Sequence, residues 1–203
     1  MTDLGTASFT SMDGITQEDW DIIIRHHDAH YAGGALVAEV LDLLERLKGP
    51  KLGFQVDRYE HSLQSATRAL RAGEDEEVVV CALLHDVGDL LAPENHCEVA
   101  TAMLRPYVSP ENLWMVEKHV VFTGYYFFHL CGLDRDEHRK LKGHPAYERT
   151  MRFVRDYDCP SFDPAYDTLP LSVFEPMVRR LFARRPRSAW REMDEAAAGA
   201  VAG

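Results

Sequence analysis

Glu76-Glu77-Val78-Val79-Val80-Cys81-Ala82-Leu83-Leu84-His85-Asp86-Val87-Gly88 runs from an acidic start through an unbroken apolar segment into a histidine and an aspartate. Val78, Cys81 and Ala82 recur at helical spacing, and His85 continues their stripe. The run predicts a buried helix over Glu76 to Leu84 with an imidazole and a carboxylate at its inner end. Helical periodicity continues on both sides. A helix from about Tyr59 to Arg71, ending at Gly73, precedes it, and one from near Asn95 to Arg105 follows. Ser109-Pro110-Glu111 supplies an N-cap, a first-position proline and an early acid for a helix carrying Leu113, Val116, Val120 and His119. From Pro145 a long helix places Tyr147, Met151, Val154 and Asp158 on one stripe and ends at Cys159-Pro160; Leu171 to Arg184 forms a last amphipathic helix.

Toward the N-terminus, Thr16 followed by Gln17, Glu18 and Asp19 caps a helix whose broad inner face carries Trp20, Ile23, Ile24, His27 and Tyr31. Gly33-Gly34 breaks it, and a second helix buries Leu36, Val40, Leu43, Leu44 and Leu47 before stopping at Lys48-Gly49-Pro50. Lys51 to Arg58 is a loop. No alternating strand pattern stands out, so the expected fold is all-α: a flexible arm over 1–14, one helical bundle over 15–190, and a frayed Ala/Gly-rich tail over 191–203.

The chain has 203 residues, 46% of them hydrophobic and 27% charged, a composition that suits one globular domain. No apolar run approaches the length of a membrane span, and MTDLGTASFTSMDG has neither the basic flank nor the apolar core of a signal peptide. A cytoplasmic protein with free thiols at Cys81, Cys97, Cys131 and Cys159 is therefore expected. The net charge of −11 argues against nucleic acid as a partner. Ten histidines stand out.

His61, His85, Asp86, His96, His119 and Asp158 all fall near the inner ends of successive helices. A single histidine on an apolar stripe is usually a hydrogen-bonded core residue, and a single aspartate at a helix end usually a cap. Six together would cost roughly several kcal/mol each if buried uncompensated, and metal ions are the usual compensation for imidazole and carboxylate. Four of them, His61, His85, Asp86 and Asp158, suffice for one ion. His96 and His119 supply a second, with Asp86 as the bridge. All-N/O donors with open positions suit iron or manganese better than structural zinc.

The series Glu60-His61-Ser62-Leu63-Gln64, Leu83-Leu84-His85-Asp86-Val87-Gly88, Asn95-His96, Lys118-His119 and Arg155-Asp156-Tyr157-Asp158 resembles the HD-domain superfamily, over about Gly53 to Asp158. The resemblance implies a helical bundle of the HD-domain type with a metal centre. Most members look like metal-dependent phosphohydrolases of nucleotides or phosphate esters. A smaller branch, similar to inositol oxygenase, uses two irons and dioxygen to cleave 1-hydroxyphosphonates, and the Glu-His-Ser-Leu-Gln run with the compact spacings is most similar to that branch. It implies two iron ions (Fe2+/Fe3+), with manganese or another divalent metal as the alternative, and a small-molecule substrate with dioxygen as partners.

Arg155 matches that branch's phosphonate-binding arginine, and Lys118, Thr123 and Tyr125 join it as substrate-binding candidates. Some positions depart from the pattern. Lys51 and Phe54 stand where the branch carries a gating Tyr and Glu, and Thr123 and Asp89 stand where lysines are expected. Asp89, near the aromatic run Tyr125-Tyr126-Phe127-Phe128, suggests a site for a cationic ammonium group, although aromatic clusters more often serve packing.

His26, His27 and His30 share one helix without a partner carboxylate motif and read as surface, with His27 nearest the core; His129, His138 and His144 follow the aromatic run with no assigned role. The basic run Arg179, Arg180, Arg184, Arg185 and Arg187 reads as a solvated face paired with acids. Its sharper alternative is a nucleotide-binding or subunit-contact role; a homodimer is among the expected assemblies.

Overall fold

A computed structural model describes residues 3–32 and 34–187; the tail expected at 191–203 lies outside them. The described residues form helices α1 (Gln17–Ala32), α2 (Ala35–Glu45), α3 (Arg58–Arg71), α4 (Glu76–Leu84), α5 (His96–Leu104), α6 (Pro110–Phe127), α7 (Tyr147–Phe153) and α8 (Leu171–Phe182), with short 3-10 turns and no strand among them. None of these helices is long and apolar enough to cross a membrane.

Two compact units divide the chain, Met1–Val40 and Leu41–Gly203, so the boundary falls inside α2 and within the stretch expected to form one bundle. In the first unit, the segment read as an arm is tied to α1. Asp19 accepts from the Ser8 backbone N–H at 2.6 Å and from the Thr16 hydroxyl at 2.7 Å. The Thr16 hydroxyl in turn accepts from the Asp19 N–H, as the sequence predicts for a cap. The expected inner face of α1 is narrower than its pattern suggests. Trp20 and Tyr31 are 43% and 45% exposed, and His27 is exposed too. His27 and Tyr31 instead pack against each other in a tilted arrangement, ring centroids 4.5 Å apart, as an i,i+4 pair on the helix surface.

The second unit is built around α4. Every residue from Val78 to Leu84 is buried, and α4 packs against α3, α6 and α8. Its five Val and Leu side chains contribute about 1.5–3 kcal/mol each relative to exposure. A helix buried all round reads as an apolar run with little amphipathic contrast, as the sequence shows. Asp75 caps α4, its side chain accepting from the Val78 N–H at 2.9 Å.

Polar anchors fix the helices around α4. Glu77 accepts from the Ser109 N–H at the start of α6, from Asn112 Nδ2 at 2.8 Å and from Arg184 beyond α8. Arg180 pairs with Glu76 at 2.6 Å and Arg179 with Glu175 at 2.5 Å, so these members of the basic run pair with acids as expected. The long helix expected from Pro145 departs from the α pattern: α7 ends at Phe153 and Val154–Asp158 is a π-helical turn, in which the Cys159 N–H bonds to the Val154 carbonyl at 2.9 Å. That wider turn changes the face on which the residues after Val154 fall, a feature that periodicity alone does not reveal.

Burial raises the Glu77 pKa, but donors from Ser109, Arg184 and Asn112 outweigh it and hold the carboxyl at about 2 against an ordinary 4.5. Its stabilisation is complete above pH 4.5 and is lost as pH falls toward 2. Glu77→Gln is expected to cost about 1–3 kcal/mol in urea unfolding at pH 7. The gap from wild type should narrow as pH falls through that window; a pH-independent gap would contradict this charge-based role.

Candidate metal centre

The six residues singled out in the sequence meet in the second unit. His61 lies one turn into α3, whose N-cap Asp57 accepts from the Glu60 N–H at 2.8 Å. His85 and Asp86 follow α4 directly. His96 opens α5, His119 sits mid-α6, and Asp158 closes the π-helical turn. Five are buried and His96 is half-buried.

Every imidazole is oriented from behind by a backbone carbonyl. His61 Nδ1 lies 2.9 Å from the Ser161 oxygen, His85 Nδ1 2.8 Å from that of Ala82, His96 Nδ1 3.1 Å from that of Pro93 and His119 Nδ1 2.7 Å from that of Val116. A carbonyl only accepts, so each Nδ1 carries a proton and the neutral ring presents an Nε2 lone pair. These lone pairs face one another: His61 and His85 Nε2 are 3.2 Å apart, His96 and His119 Nε2 3.4 Å apart. Two acceptors at that distance need a cation between them.

Asp86 stands between the two pairs. Its Oδ2 is 3.5 Å from His61 Nε2, and its Oδ1 is 3.6 Å from His85, 3.3 Å from His96 and 3.3 Å from His119. Asp158 Oδ1 lies nearest the first pair, 3.3 Å from His61 and 3.6 Å from His85. The Thr123 hydroxyl lies 3.0 Å from Asp158 Oδ2 and 2.9 Å from the His119 carbonyl, with one proton to give to either. Donors about 2.1 Å from one ion and set at tetrahedral to octahedral angles lie about 3.0–3.4 Å from each other, and most of these separations fall in or just beyond that range. The donor set therefore fits metal ions.

Burial disfavours charge on Asp86 and Asp158, yet the neighbouring imidazoles hold both carboxyls well below the ordinary range. Burial likewise pulls the histidines down, and the carboxylates reverse it. Asp158 and Asp86 raise His61, while Asp86 with Cys97 raises His119. His96 is raised to about 9 by Cys97 and Asp86 against its partial burial. The cluster thus attracts positive charge, whether protons or metal ions.

The metal-capable groupings are His61 with His85 and Asp86, His85 with His119 and Asp158, and His96 with Cys97 and His119. The Cys97 sulfur sits 3.6 Å from His119 Nδ1, the nitrogen already turned to Val116. Cys97 therefore packs behind the ring rather than among the converging lone pairs. All four cysteines are free, as expected.

A cavity of about 730 Å³ opens onto the centre. Its wall includes Phe54, Val120, Phe127 and Phe162, with Thr123, Tyr126, Arg58 and Arg155 as the polar and cationic groups besides the cluster itself. Thr123 and Arg155, read in the sequence as substrate-binding candidates, both line this cavity. Three other candidates do not. Lys118 points to Glu117, 2.7 Å away, and is no part of the wall. Tyr125 lies outside the wall under Arg135, whose guanidinium carbon is 4.1 Å from its ring centre.

Asp89 is not open to an ammonium group. Its Oδ2 is 2.6 Å from Arg58 Nε and its Oδ1 3.3 Å from His96 Nδ1, so its charge is already neutralised. Of the aromatic run only Tyr126 and Phe127 reach the cavity, and Tyr125 to Phe127 are exposed rather than core. His138 is buried near Phe122 and Tyr147, and His144 stacks on Trp114 at 4.0 Å; neither joins the centre.

Arg58 and Phe162 were not singled out in the sequence. Arg58 was readable in principle, one helical turn before His61 and so on the same face. Phe162 stacks on the His61 ring at 4.4 Å, a contact made across a hundred residues that no local pattern encodes.

Compared with known families, residues 58–143 match the one described as HD domain. The matched segment holds His61, His85, Asp86, His96 and His119; Asp158 and Arg155 come from beyond it. No curated protein matches the chain.

Gly88 shows how tightly the two halves of the centre are joined. A Cβ there would lie 2.4 Å from the His96 carbonyl oxygen and 2.7 Å from Val99 Cβ. Gly88→Ala is therefore expected to push the start of α5 away from Asp86 and cost about 1–3 kcal/mol. Gly49→Ala, where a Cβ meets nothing within 4 Å, should leave the melting temperature near wild type. Equal melting temperatures for the two variants would show that α5 does not depend on this approach.

Proposed function

We propose that this protein is a metal-dependent enzyme whose centre holds two ions, and that it oxidatively cleaves a small hydroxylated anion such as a 1-hydroxyphosphonate using iron and dioxygen. The facing Nε2 pairs, with Asp86 between them, carry the proposal: each pair asks for one cation, and Asp86 is within reach of both. His61, His85 and Asp158 would hold one ion, His96 and His119 the other, and Asp86 would bridge. Two irons bound there would supply Lewis acidity toward a chelating substrate and a redox-active site for dioxygen, whose reducing electrons come from the substrate's own C–H and C–P bonds.

The chain's own residues do the rest. The four Nδ1–carbonyl bonds keep each Nε2 aimed at the centre. Thr123 steadies Asp158. Phe54, Phe127 and Phe162 keep water from much of the cavity wall, and its arginines offset the overall charge of −11 for an incoming anion.

A second reading is favoured by the family match, which points to hydrolase-type chemistry: a manganese or other divalent centre hydrolysing a nucleotide or small phosphate ester. Dioxygen separates the two. Anaerobically purified protein is expected to carry two irons per chain and to consume dioxygen in step with phosphate release from a 1-hydroxyphosphonate. Phosphate release from an ester without dioxygen, on a manganese-loaded protein, would establish the hydrolase instead. His96→Ala or His119→Ala should lower the metal content from two ions to one and abolish turnover, as metal analysis would show; loss of both ions or of neither contradicts the assignment.

A further inference from the structure

We infer that Arg58, rather than Arg155, binds the anionic –PO3 group of the substrate; the inference rests on the two-ion reading above. Both arginines line the cavity, but they differ in what already occupies them. Arg155 closes a two-point contact with its neighbour Asp156, Nε and Nη2 each 2.6 Å from a carboxylate oxygen, and its side chain is 60% exposed. The Nε/Nη2 edge of its guanidinium is thus committed to a group outside the cavity wall.

Arg58 is held differently. Its short contact to Asp89, 2.6 Å, uses Nε alone, and Nη1 makes only a 3.6 Å approach to Asp86. Nη1, one of the two terminal nitrogens with which a guanidinium grips phosphate, thus lies on the metal side of the cavity. The side chain is 28% exposed, in a setting where a charge-assisted bond is screened less than at Arg155.

Its position is also fixed before any ligand arrives. The Phe54 ring lies 4.7 Å from the guanidinium carbon, Phe54 stacks on Phe162 at 5.1 Å, and Phe162 stacks on the metal-facing His61. Asp89 holds Arg58 at one carboxylate oxygen and His96 at the other. The cation is therefore registered against both halves of the centre, and little entropy remains to be lost on binding. Asp89 acts here as a positioning residue for Arg58 and His96, in place of the ammonium site its sequence position suggests.

The test titrates inorganic phosphate and methylphosphonate into metal-loaded full-length protein by calorimetry, with metal content measured on every sample. Arg58→Gln is expected to weaken both ligands about tenfold or more at unchanged metal content. Arg58→Lys should fall between wild type and Arg58→Gln, since it keeps the charge and loses the fork. Arg155→Gln should stay within about twofold of wild type, as expected for a solvent-exposed, already paired charge. Arg58→Gln binding as tightly as wild type, or a larger loss in Arg155→Gln, overturns the assignment. Loss of metal in Arg58→Gln also overturns it, because Arg58 would then act through Asp89 on the centre. Wild-type protein that takes up no metal overturns the two-ion reading and this inference with it.

Discussion

Four imidazole lone pairs converging on one buried carboxylate are the constraint around which the rest of the second unit is arranged. Asp86 lies within 3.3–3.6 Å of all four Nε2 atoms. Such an arrangement is unstable by itself, since facing lone pairs repel and a buried carboxylate wants positive charge. The protein holds it together by fixing each ring from behind. Helix α4, buried along its whole length from Val78, delivers His85 and Asp86; α3, α5 and α6 bring the remaining imidazoles to the same point.

The local sequence carried much of this. Caps at Thr16 and Ser109, breaks at Gly33-Gly34 and Gly73, and the apolar run before His85 are short-range signals, and the helices they bound lie within a few residues of expectation. The six donors were legible because a polar residue on a buried stripe must find a compensating partner, and six in order on inward stripes exceed what hydrogen bonds to one another can compensate. Asp158 was legible only as a stripe position: the π-helical turn that presents it breaks the period on which the stripe was read.

What the sequence concealed depends on distant partners. Asp89 looks like an available anion until Arg58, thirty-one positions earlier, is seen to close on it. Tyr125 reads as a pocket residue because it adjoins Tyr126 and Phe127, yet one helical residue turns a side chain by about 100° and leaves it under Arg135 instead. Trp20 and Tyr31 read as core by hydrophobicity and are nonetheless largely exposed. Single exposed aromatics are ordinary on protein surfaces, which is why their presence on a stripe carries less weight than a histidine's.

The central claim is that Asp86 bridges two ions, each completed by one facing histidine pair, with Cys97 outside the coordination. X-ray absorption spectroscopy on the metal-loaded protein reads this directly. It should show only nitrogen and oxygen neighbours and a second metal about 3.5–4 Å away. A single ion without a metal neighbour, or sulfur in the coordination shell, would contradict it.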